Sequence, residues 1–140
     1  MQDHCVFCRI ITGEIPSATV YEDEDFKAIL DISPAAKGHI IILPKKHSAD
    51  LYNLDAGTAE KALIVAQKIA KAMKEVLGCD GLNLLQNNGE AAGQTVLHFH
   101  IHLIPRYHND QVQMTWSHGK YQEGEAAVIA ADIAARINIL

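Results

Sequence analysis

The stretch HFHIHLIPR, residues 98–106, alternates three histidines with large apolar residues. A period of two is typical of a β-strand, in which successive side chains point to opposite faces. The pattern predicts that His98, His100 and His102 share one face, about 7 Å apart from one to the next, and that the other face, beginning at Leu97, packs into a core. A surface strand shows the same alternation, but three histidines on a rigid strand suit metal binding or proton and nucleophile chemistry near neutral pH.

Length and composition are those of one globular domain with its own core: 140 residues, 49% hydrophobic and 21% charged. The net charge is −5 and the basic residues do not cluster, so no nucleic-acid partner is expected. No apolar run approaches membrane-spanning length, and the first residues, MQDHC, do not resemble a signal peptide. Three cysteines, an odd number, favour a reducing compartment. We therefore expect a cytoplasmic protein without a membrane partner.

The remaining elements predict an α+β fold. Besides the histidine stretch, four strands are expected, at 19–22, 26–30, 40–43 and 81–86. A long helix is expected over 55–77, with Asp55 as its cap and Gly78 at its end. Its buried stripe is predicted at Ala59, Ala62, Leu63, Ala66, Ile69, Ala70, Met73, Val76 and Leu77. A shorter helix is expected over 123–137. Short turns between the strands favour an antiparallel sheet.

Cys5 and Cys8 form a CxxC pair close to the N-terminus. Two thiolates at this spacing can share a metal ion or form a redox couple, and some such pairs have no role. The redox alternative needs a preceding strand, for which there is no room, and the metal alternative needs two further ligands. Cys79 is expected to be a lone structural thiol.

The loop over 87–95 lies between the last two predicted strands and is longer than a hairpin turn requires, a feature of functional loops. Its glycines allow the backbone to approach a ligand closely. Asp31 and His39 stand at strand ends, where a role in the turn and a role in a site are both open. Three neutral hydrogen-bonding side chains in the loop stand beside the histidines: Asn87, Gln94 and Thr95.

The motif HxHxHxxPR, preceded by NNGEAAGQTV at 87–96, resembles the signature of the histidine-triad (HIT) family. The resemblance includes EIPS, YED and LDISP and the segment 38–47, and it covers roughly the first hundred residues in order. It is most similar to the nucleotide-binding branch of bacterial type, whose members are purine nucleoside phosphoramidases and nucleotidyl hydrolases. It implies a homodimer of five-stranded antiparallel sheets, each with one long central helix and a shorter C-terminal helix. A single HIT-like domain is then expected over 1–140, with a core at 5–106 and a C-terminal tail at 107–140.

The resemblance implies a role for each matching residue. His100 would attack the α-phosphate and form a nucleotidyl-histidine, His102 would donate to the phosphate oxygens, and His39 would support the site. A cationic His102 would stabilise the charge that attack spreads over the non-bridging oxygens. Asp31 would accept hydrogen bonds from the ribose hydroxyls. A carboxylate suits two neighbouring hydroxyls and would repel phosphate, so it belongs at the sugar end of the nucleotide. The implied nucleotide-binding residues are Asp31, Ile32, Asn87, Gln94, Thr95, His100 and His102.

The resemblance also implies a zinc ion. Cys5, Cys8, His47 and His98 would form a Cys2His2 set, the composition of a closed structural zinc site. Such an ion would hold the N-terminus on the sheet and take no part in the chemistry. The alternative, a catalytic zinc on the three histidines of the motif, is disfavoured because collinear side chains seldom converge on one tetrahedral ion.

The expected function is hydrolysis of a purine nucleoside 5′-phosphoramidate or a similar nucleotide conjugate, with release of AMP or GMP. Three alternatives remain open: a dinucleoside polyphosphate hydrolase, a regulatory nucleotide-binding module with vestigial catalysis, and a zinc-held scaffold for protein partners. Binding alone does not require a nucleophile, which argues against the module. The tail matches the family weakly, and Trp116 is expected either to reach the partner subunit's pocket or simply to pack.

Overall fold

The computed structural model describes residues 2–140 and has an α+β fold. Its strands are β1 (Thr19–Glu22), β2 (Phe26–Leu30), β3 (Ile40–Pro44), β4 (Gly81–Leu85) and β5 (Ile101–Arg106). They form one antiparallel five-stranded sheet in the order β1-β2-β3-β5-β4. The α-helices are α1 (Val6–Ile11), α2 (Ala56–Leu77) and α3 (Glu125–Ile137), and short 3-10 turns cover Leu51–Asn53 and Glu90–Ala92. The predicted fold class is therefore confirmed.

Strand β5 lies inside the sheet, between β3 and β4, so it is hydrogen-bonded along both edges. The apolar face is buried as predicted at Phe99, Ile101 and Leu103. The prediction of one strand through all three histidines is wrong, because β5 begins only at Ile101 and the backbone bends at 96–98. The N–H of Phe99 donates to the carbonyl of Ser48 at 2.6 Å instead of to a neighbouring strand. This bend also leaves Leu97 67% exposed, where packing was expected.

Helix α2 covers one face of the sheet. The carboxylate of Asp55 accepts from the N–H of Thr58 at 3.0 Å, and Gly78 ends the helix in the left-handed conformation, both as predicted. The buried residues of the helix are Ala62, Val65, Ala66, Ile69 and Met73. The predicted stripe is therefore only partly right: Val65 was missed, and Leu63 and Val76 are 64% and 82% exposed. Exposed aliphatic side chains thus remain on the outer side of α2.

Helix α1, which the sequence analysis did not predict, covers the other face. Its cap is Cys5, whose Sγ accepts from the N–H of Cys8 at 3.5 Å. The core on this side is formed by Phe7, Ile10, Ile29, Ile41 and Leu43. Because His102 is paired with Ile41 across β5 and β3, its side chain is on this same face. The CxxC helix and the last histidine of the motif therefore share one side of the sheet.

Gly38 brings the start of β3 close to the end of α2. Its φ is +96°, and a Cβ atom there would lie 2.6 Å from the Cδ1 atom of Leu77. The turn it belongs to is closed by backbone bonds, since His39 N–H donates to the carbonyl of Ala36 and Asp31 N–H to that of His39. The backbone conformation favours glycine, and a larger residue would also have to displace the end of the Leu77 side chain.

Arg106 is the last residue of β5. Its guanidinium binds both carboxylate oxygens of Asp110 at 2.8 and 2.9 Å and donates to Asn83 Oδ1 at 2.7 Å. This arrangement holds the pKa of Asp110 well below its usual range, mainly through the hydrogen bond from Arg106. The sheet edge and the turn that follows β5 are thereby tied together.

Beyond this turn the chain leaves the sheet. Helix α3 begins at Glu125, two residues later than predicted, and is exposed along its whole length. Its exposed large side chains include Val128, Ile129, Ile133 and Ile137. Within residues 2–140, no helix combines the length and the apolar character that crossing a membrane requires.

Candidate active site

His100 is held in a single tautomer by the backbone just before β5. Its Nδ1–H donates to the carbonyl of His98 at 2.6 Å, since a carbonyl can only accept. The lone pair of the imidazole is therefore on Nε2. The ring is buried, and the ring of Phe7 lies edge-on to it with centroids 4.9 Å apart. Burial lowers the pKa of His100, so the ring is neutral at pH 7 and has the form that a nucleophile requires.

His102 receives a hydrogen bond from His39. The N–H of Ala35 donates to His39 Nδ1 at 3.0 Å, so the proton of His39 is on Nε2. That Nε2–H donates to His102 Nδ1 at 2.9 Å, and it lies 3.6 Å from Asp31 Oδ2. His102 therefore carries its own proton on Nε2. The two successive hydrogen bonds, from Ala35 to His39 and from His39 to His102, leave the Nε2–H of His102 available to a bound group.

The surroundings of His102 determine its charge in the ligand-free protein. Burial, together with the neighbouring His100 and His39, lowers the pKa of His102 to about 4, and burial lowers the pKa of His39 as well. Both rings are therefore neutral at pH 7 in the ligand-free protein, and the cationic His102 expected during attack at phosphorus stays a prediction. Donation to a phosphate oxygen would come from a neutral imidazole N–H.

The four predicted zinc ligands, Cys5, Cys8, His47 and His98, lie together, with their ligand atoms all within 4.8 Å of one another. His98 Nδ1 is 3.4 Å from Cys5 Sγ, 3.6 Å from Cys8 Sγ and 3.2 Å from His47 Nδ1, and the distance from Cys8 Sγ to His47 Nδ1 is 3.4 Å. Tetrahedral zinc, with bonds of about 2.3 Å to sulfur and about 2.0–2.1 Å to nitrogen, needs ligand separations of about 3.3–3.8 Å. Three of these separations lie in this range and the separation between the two histidine nitrogens lies just below it, so the set fits a zinc ion.

The proton on His98 is placed correctly for metal binding. Its Nε2–H donates to the carbonyl of Pro44 at 2.8 Å, which leaves the Nδ1 lone pair directed at the two sulfur atoms and His47. A backbone carbonyl is a common hydrogen-bond partner for the free N–H of a metal-binding histidine. Geometry and protonation agree that this cluster is suited to a metal.

A second cluster has the right residue types for a metal but the wrong protonation. The ligand atoms of Asp31, His39 and His102 also lie within 4.8 Å of one another. However, His39 accepts from Ala35 at Nδ1 and donates to His102 from Nε2, so both of its nitrogens are engaged. Binding a metal there would break one of these bonds. The hydrogen bonds instead form a chain that orients His102.

The structure does not bring the three histidines of the motif together around one ion. His98 belongs to the thiolate cluster, and His102 belongs to the cluster with Asp31. His100 commits its Nδ1–H to the carbonyl of His98. The three-histidine zinc site therefore has no support from the geometry.

The loop over 87–95 is braced by Gln94. Its Oε1 accepts from the N–H of Gly89 at 2.8 Å, and its Nε2 donates to the carbonyls of Ala49 and Val96 at 2.7 and 3.0 Å. Gln94 is buried, and its amide is engaged within the protein. The other predicted nucleotide-binding residues are more open: Asn87 is half-buried, Thr95 is exposed, and Ile32 is 98% exposed beside Asp31.

The HIT domain model matches residues 12–109 of the chain. This protein belongs to the HIT family. Protein hit of Bacillus subtilis is 43% identical over 138 residues, covering 96% of this chain and 95% of that protein. Adenosine 5'-monophosphoramidase HNT1 of Saccharomyces cerevisiae is 46% identical over 102 residues, 73% of this chain and 62% of that protein. Adenylylsulfatase HINT3 of Arabidopsis thaliana is 42% identical over 110 residues, 79% and 56% of the two chains.

Solved HIT structures have the same fold. The crystal structure of a HIT family member from Bacillus subtilis has a TM-score of 0.91 at 42% identity, covering 96% of this chain and 97% of that chain. The crystal structure of a Zn-bound histidine triad family protein from Mycobacterium smegmatis has a TM-score of 0.75 at 39% identity, covering 94% and 97%. The resemblance to the family that the sequence motifs predicted is therefore confirmed.

Two features of this HIT protein's site were missed by the sequence analysis. The ring of Phe7 lies 6.0 Å from that of His98 and 4.9 Å from that of His100, centroid to centroid. The sequence did contain a signal for Phe7. It lies between the two cysteines that are predicted to share a metal ion with His98, so its side chain must lie near the motif. The N–H of Ala35, which sets the tautomer of His39, had no signal, since a backbone group leaves no mark on the sequence.

Proposed function

We propose that this HIT-family protein hydrolyses a purine nucleoside 5′-phosphoramidate or a similar nucleotide conjugate at the α-phosphate. The observation that carries the proposal is the complementary protonation of two adjacent histidines. His100 presents a lone pair on Nε2, and His102, with its ring centroid 4.8 Å away, has its N–H on Nε2. A neutral nucleophile beside a hydrogen-bond donor meets the needs of attack at phosphorus and of the charge that develops there.

In the proposed reaction, His100 Nε2 forms a bond to the α-phosphorus as the bond to the leaving group breaks. Water then cleaves the nucleotidyl-histidine, releases the nucleoside monophosphate and regenerates His100. His102 donates to the non-bridging oxygens, and His39 supports His102 by fixing its tautomer. His102 lies on the buried strand β5, His100 lies directly before it, and Gln94 braces the loop over 87–95, so the reactive groups are held in place.

The nucleotide is proposed to lie across Asp31 and the loop over 87–95. Asp31 accepts from the ribose hydroxyls, and the exposed Ile32 forms an apolar wall for the purine. Asn87 and Thr95 contact the phosphate or the leaving group. Gln94 belongs to the same set, and its internal hydrogen bonds support a role in keeping the loop in shape.

The substrate class is tested by AMP release from adenosine 5′-phosphoramidate, adenylyl sulfate and diadenosine tetraphosphate, measured side by side. The names of HNT1 and HINT3 support the first two compounds. We expect release from the phosphoramidate, and none with His100→Ala. Preference for the tetraphosphate would instead identify a dinucleoside polyphosphate hydrolase. Nucleotide binding without release from any compound would identify a regulatory module.

We also propose that Cys5, Cys8, His47 and His98 hold a structural zinc ion. The fit of their separations to tetrahedral zinc supports this, as does the Zn-bound protein of Mycobacterium smegmatis. Four protein ligands leave no position for substrate, so the ion supplies structure and no chemistry. It would join α1 to the segment that precedes β5.

We further propose a cytoplasmic homodimer of single HIT domains spanning 1–140, with the core at 5–106 and the tail at 107–140. Strand β4 is an edge of the sheet, and such an edge can pair with another chain. The outer side of α2 exposes Leu63 and Ile64. Helix α3 is mostly apolar around its circumference, and a helix of this kind is normally buried. A second copy of the chain would cover these surfaces.

A further inference from the structure

Asn87 leaves strand β4 beside the histidine motif. Leu85, the last residue of β4, is paired with His102 in the antiparallel register, and continuing this register by two residues brings Asn87 level with His100. Paired residues of antiparallel strands share a face, and so do alternate residues of one extended chain. The register therefore directs Asn87 to the side of the sheet on which the two histidines lie.

The side-chain amide of Asn87 is available to a ligand. The side chain is half-buried and lies against Gly93, where an added Cβ atom would come 3.6 Å from Asn87 Nδ2. The backbone carbonyl of Asn87 accepts a hydrogen bond, but within residues 2–140 no group is hydrogen-bonded to its side-chain amide. The direction of this amide therefore depends on how the backbone that carries it is held.

Gln86 and Asn88, the residues on either side of Asn87, bind each other through their side-chain amides. Asn88 Nδ2 donates to Gln86 Oε1 at 2.6 Å, and Gln86 Nε2 donates to Asn88 Oδ1 at 2.9 Å. Gln86 Nε2 also donates to the carbonyl of Asn87 at 3.1 Å. All three residues are half-buried. The pair of amides therefore spans Asn87 and fixes the peptide that follows it.

A backbone donor fixes the orientation of both amides. The N–H of Leu51 donates to Asn88 Oδ1 at 2.7 Å. Because an N–H can only donate, the Asn88 atom that faces it is the oxygen, and the Gln86 atom beside this oxygen is then the nitrogen. Leu51 begins the 3-10 turn Leu51–Asn53. The amide pair is thereby anchored to this turn in one arrangement.

The same segment holds the loop over 87–95 at its other end. The carbonyl of Ala49 accepts from Gln94 Nε2 at 2.7 Å, and Gln94 Oε1 accepts from the N–H of Gly89 at 2.8 Å. Residues 49–51 therefore hold the loop both where it begins and where it ends. The glycine against which Asn87 lies, Gly93, is adjacent to Gln94 and is held with it.

We propose that Gln86 and Asn88 are positioning residues that direct the side-chain amide of Asn87 at the phosphate or the leaving group. Their mutual hydrogen bonds fix the backbone of Asn87, and Leu51 anchors the pair. An amide held in place before binding contributes more to the reaction than one that must first be ordered. Loss of either neighbouring amide lets Asn87 turn away from Gly93. The kinetic part of this inference rests on the proposed function, whereas the conformational part does not.

The test compares the wild type with Gln86→Met and Asn88→Leu, which nearly keep the size of each side chain and remove its amide. Asn53→Ala is the matched control, because Asn53 Nδ2 donates to Asp50 in the neighbouring 3-10 turn and does not bind the pair. Nitrogen relaxation in NMR reports the mobility of the Asn87 side-chain amide, whose signal is assigned by its absence from Asn87→Ala. AMP release from adenosine 5′-phosphoramidate gives kcat and KM.

We expect the Asn87 amide to be rigid in the wild type and in Asn53→Ala, and mobile in Gln86→Met and Asn88→Leu. Each of these two variants should lose about 10- to 100-fold in kcat, the order of loss for a misplaced contact. The double variant should lose no more than either single variant, because each change breaks the same pair. In the Asn87→Ala background, Asn88→Leu should change kcat by less than about twofold, since no amide remains to be directed.

An Asn87 amide that stays equally rigid in Gln86→Met and Asn88→Leu would overturn the inference. So would an equal loss of kcat from Asn88→Leu with and without the Asn87 side chain, because the pair would then act on the loop as a whole. Should Asn88→Leu fail to fold, Gln86→Met carries the same comparison in both backgrounds. If the wild type releases no AMP, the proposed function fails by itself, and the mobility measurement still decides whether the pair positions Asn87.

Discussion

The position of the ring proton determines what each histidine can do. His98 and His100 are two residues apart, and each donates to a backbone carbonyl, but they do so from opposite nitrogens. His98 thereby keeps a lone pair on Nδ1, where the proposed metal would bind, and His100 keeps one on Nε2, from which the proposed attack at phosphorus would start. His102 accepts at Nδ1 from His39 and so retains an N–H to donate. In the proposed function, three identical side chains therefore serve as a metal ligand, a nucleophile and a hydrogen-bond donor.

Burial of His102 makes stability depend on pH. Its pKa is lowered to about 4 by burial and by His100 and His39, against about 6.5 in an unfolded chain. Between these values the unfolded state binds more protons, so the free energy of unfolding falls as the pH falls from about 6.5 towards 4. Urea unfolding at pH 7 and pH 5 should show this loss, and His102→Asn should reduce it. The control His118→Asn, at an exposed position, should leave it unchanged. Equal pH dependence in wild type and His102→Asn would contradict the assignment.

At the scale of elements, sequence patterns correctly predicted those features of helices and strands that depend on residues close together in the chain. The alternation in β5 predicted the buried face at Ile101 and Leu103, and Asp55 and Gly78 predicted the ends of α2, because each signal lies within a few residues. Helix α1 was missed, since six residues are too few to show a period. The bend at 96–98 was missed because it depends on a carbonyl about fifty residues earlier in the chain.

The contact between Gly38 and α2 should be sensitive to one added methyl group. Gly38→Ala places a Cβ 2.6 Å from Leu77 and imposes a positive φ on alanine. We expect a loss of about 1–3 kcal/mol in the free energy of unfolding. Gly13→Ala is the matched control, because Gly13 also has a positive φ but no atom within 4 Å of an added Cβ. A similar loss for both variants would show that the contact with Leu77 contributes nothing.

Helix α1 should depend on the metal. The double variant Cys5→Ser, Cys8→Ser removes both sulfur ligands, so we expect it to bind no zinc. The lost stability is about 3–4 kcal/mol when free zinc is 100- to 1,000-fold above Kd for the wild type. Metal analysis and thermal unfolding with and without a chelator check this, since only the wild type should respond to the chelator. Unchanged zinc content in the double variant would show that the ligand set is wrong.

At the scale of the whole molecule, the family and the fold class could be predicted from the sequence, but the environment of the tail could not. The helical period of α3 predicts a helix, yet it does not reveal what that helix packs on. The match to the Bacillus subtilis structure, with a TM-score of 0.91 over 96% of this chain, extends beyond the 12–109 domain into the tail. The proposed second subunit would cover this exposed and mostly apolar helix.

The proposed dimer can be tested through α3. Ile133 is 57% exposed on the apolar surface of this helix. We expect sedimentation to show a wild-type dimer and a shift towards monomer with Ile133→Glu, because a charge at an apolar contact is costly to bury. Lys120→Glu, an exposed change in the tail outside α3, should leave the dimer intact. A wild-type monomer at all concentrations would rule the dimer out.

The most direct test of the account is to look for the covalent intermediate itself. The protein is mixed with adenosine 5′-phosphoramidate, quenched within milliseconds to seconds at alkaline pH, where a phosphoramidate bond to histidine survives, and analysed by peptide mass spectrometry. We predict an adenylyl group on His100, absent from His100→Ala and decaying as AMP appears. AMP release at the wild-type rate from His100→Ala, or an adenylyl group on a different residue, would contradict the assignment of His100 as the nucleophile.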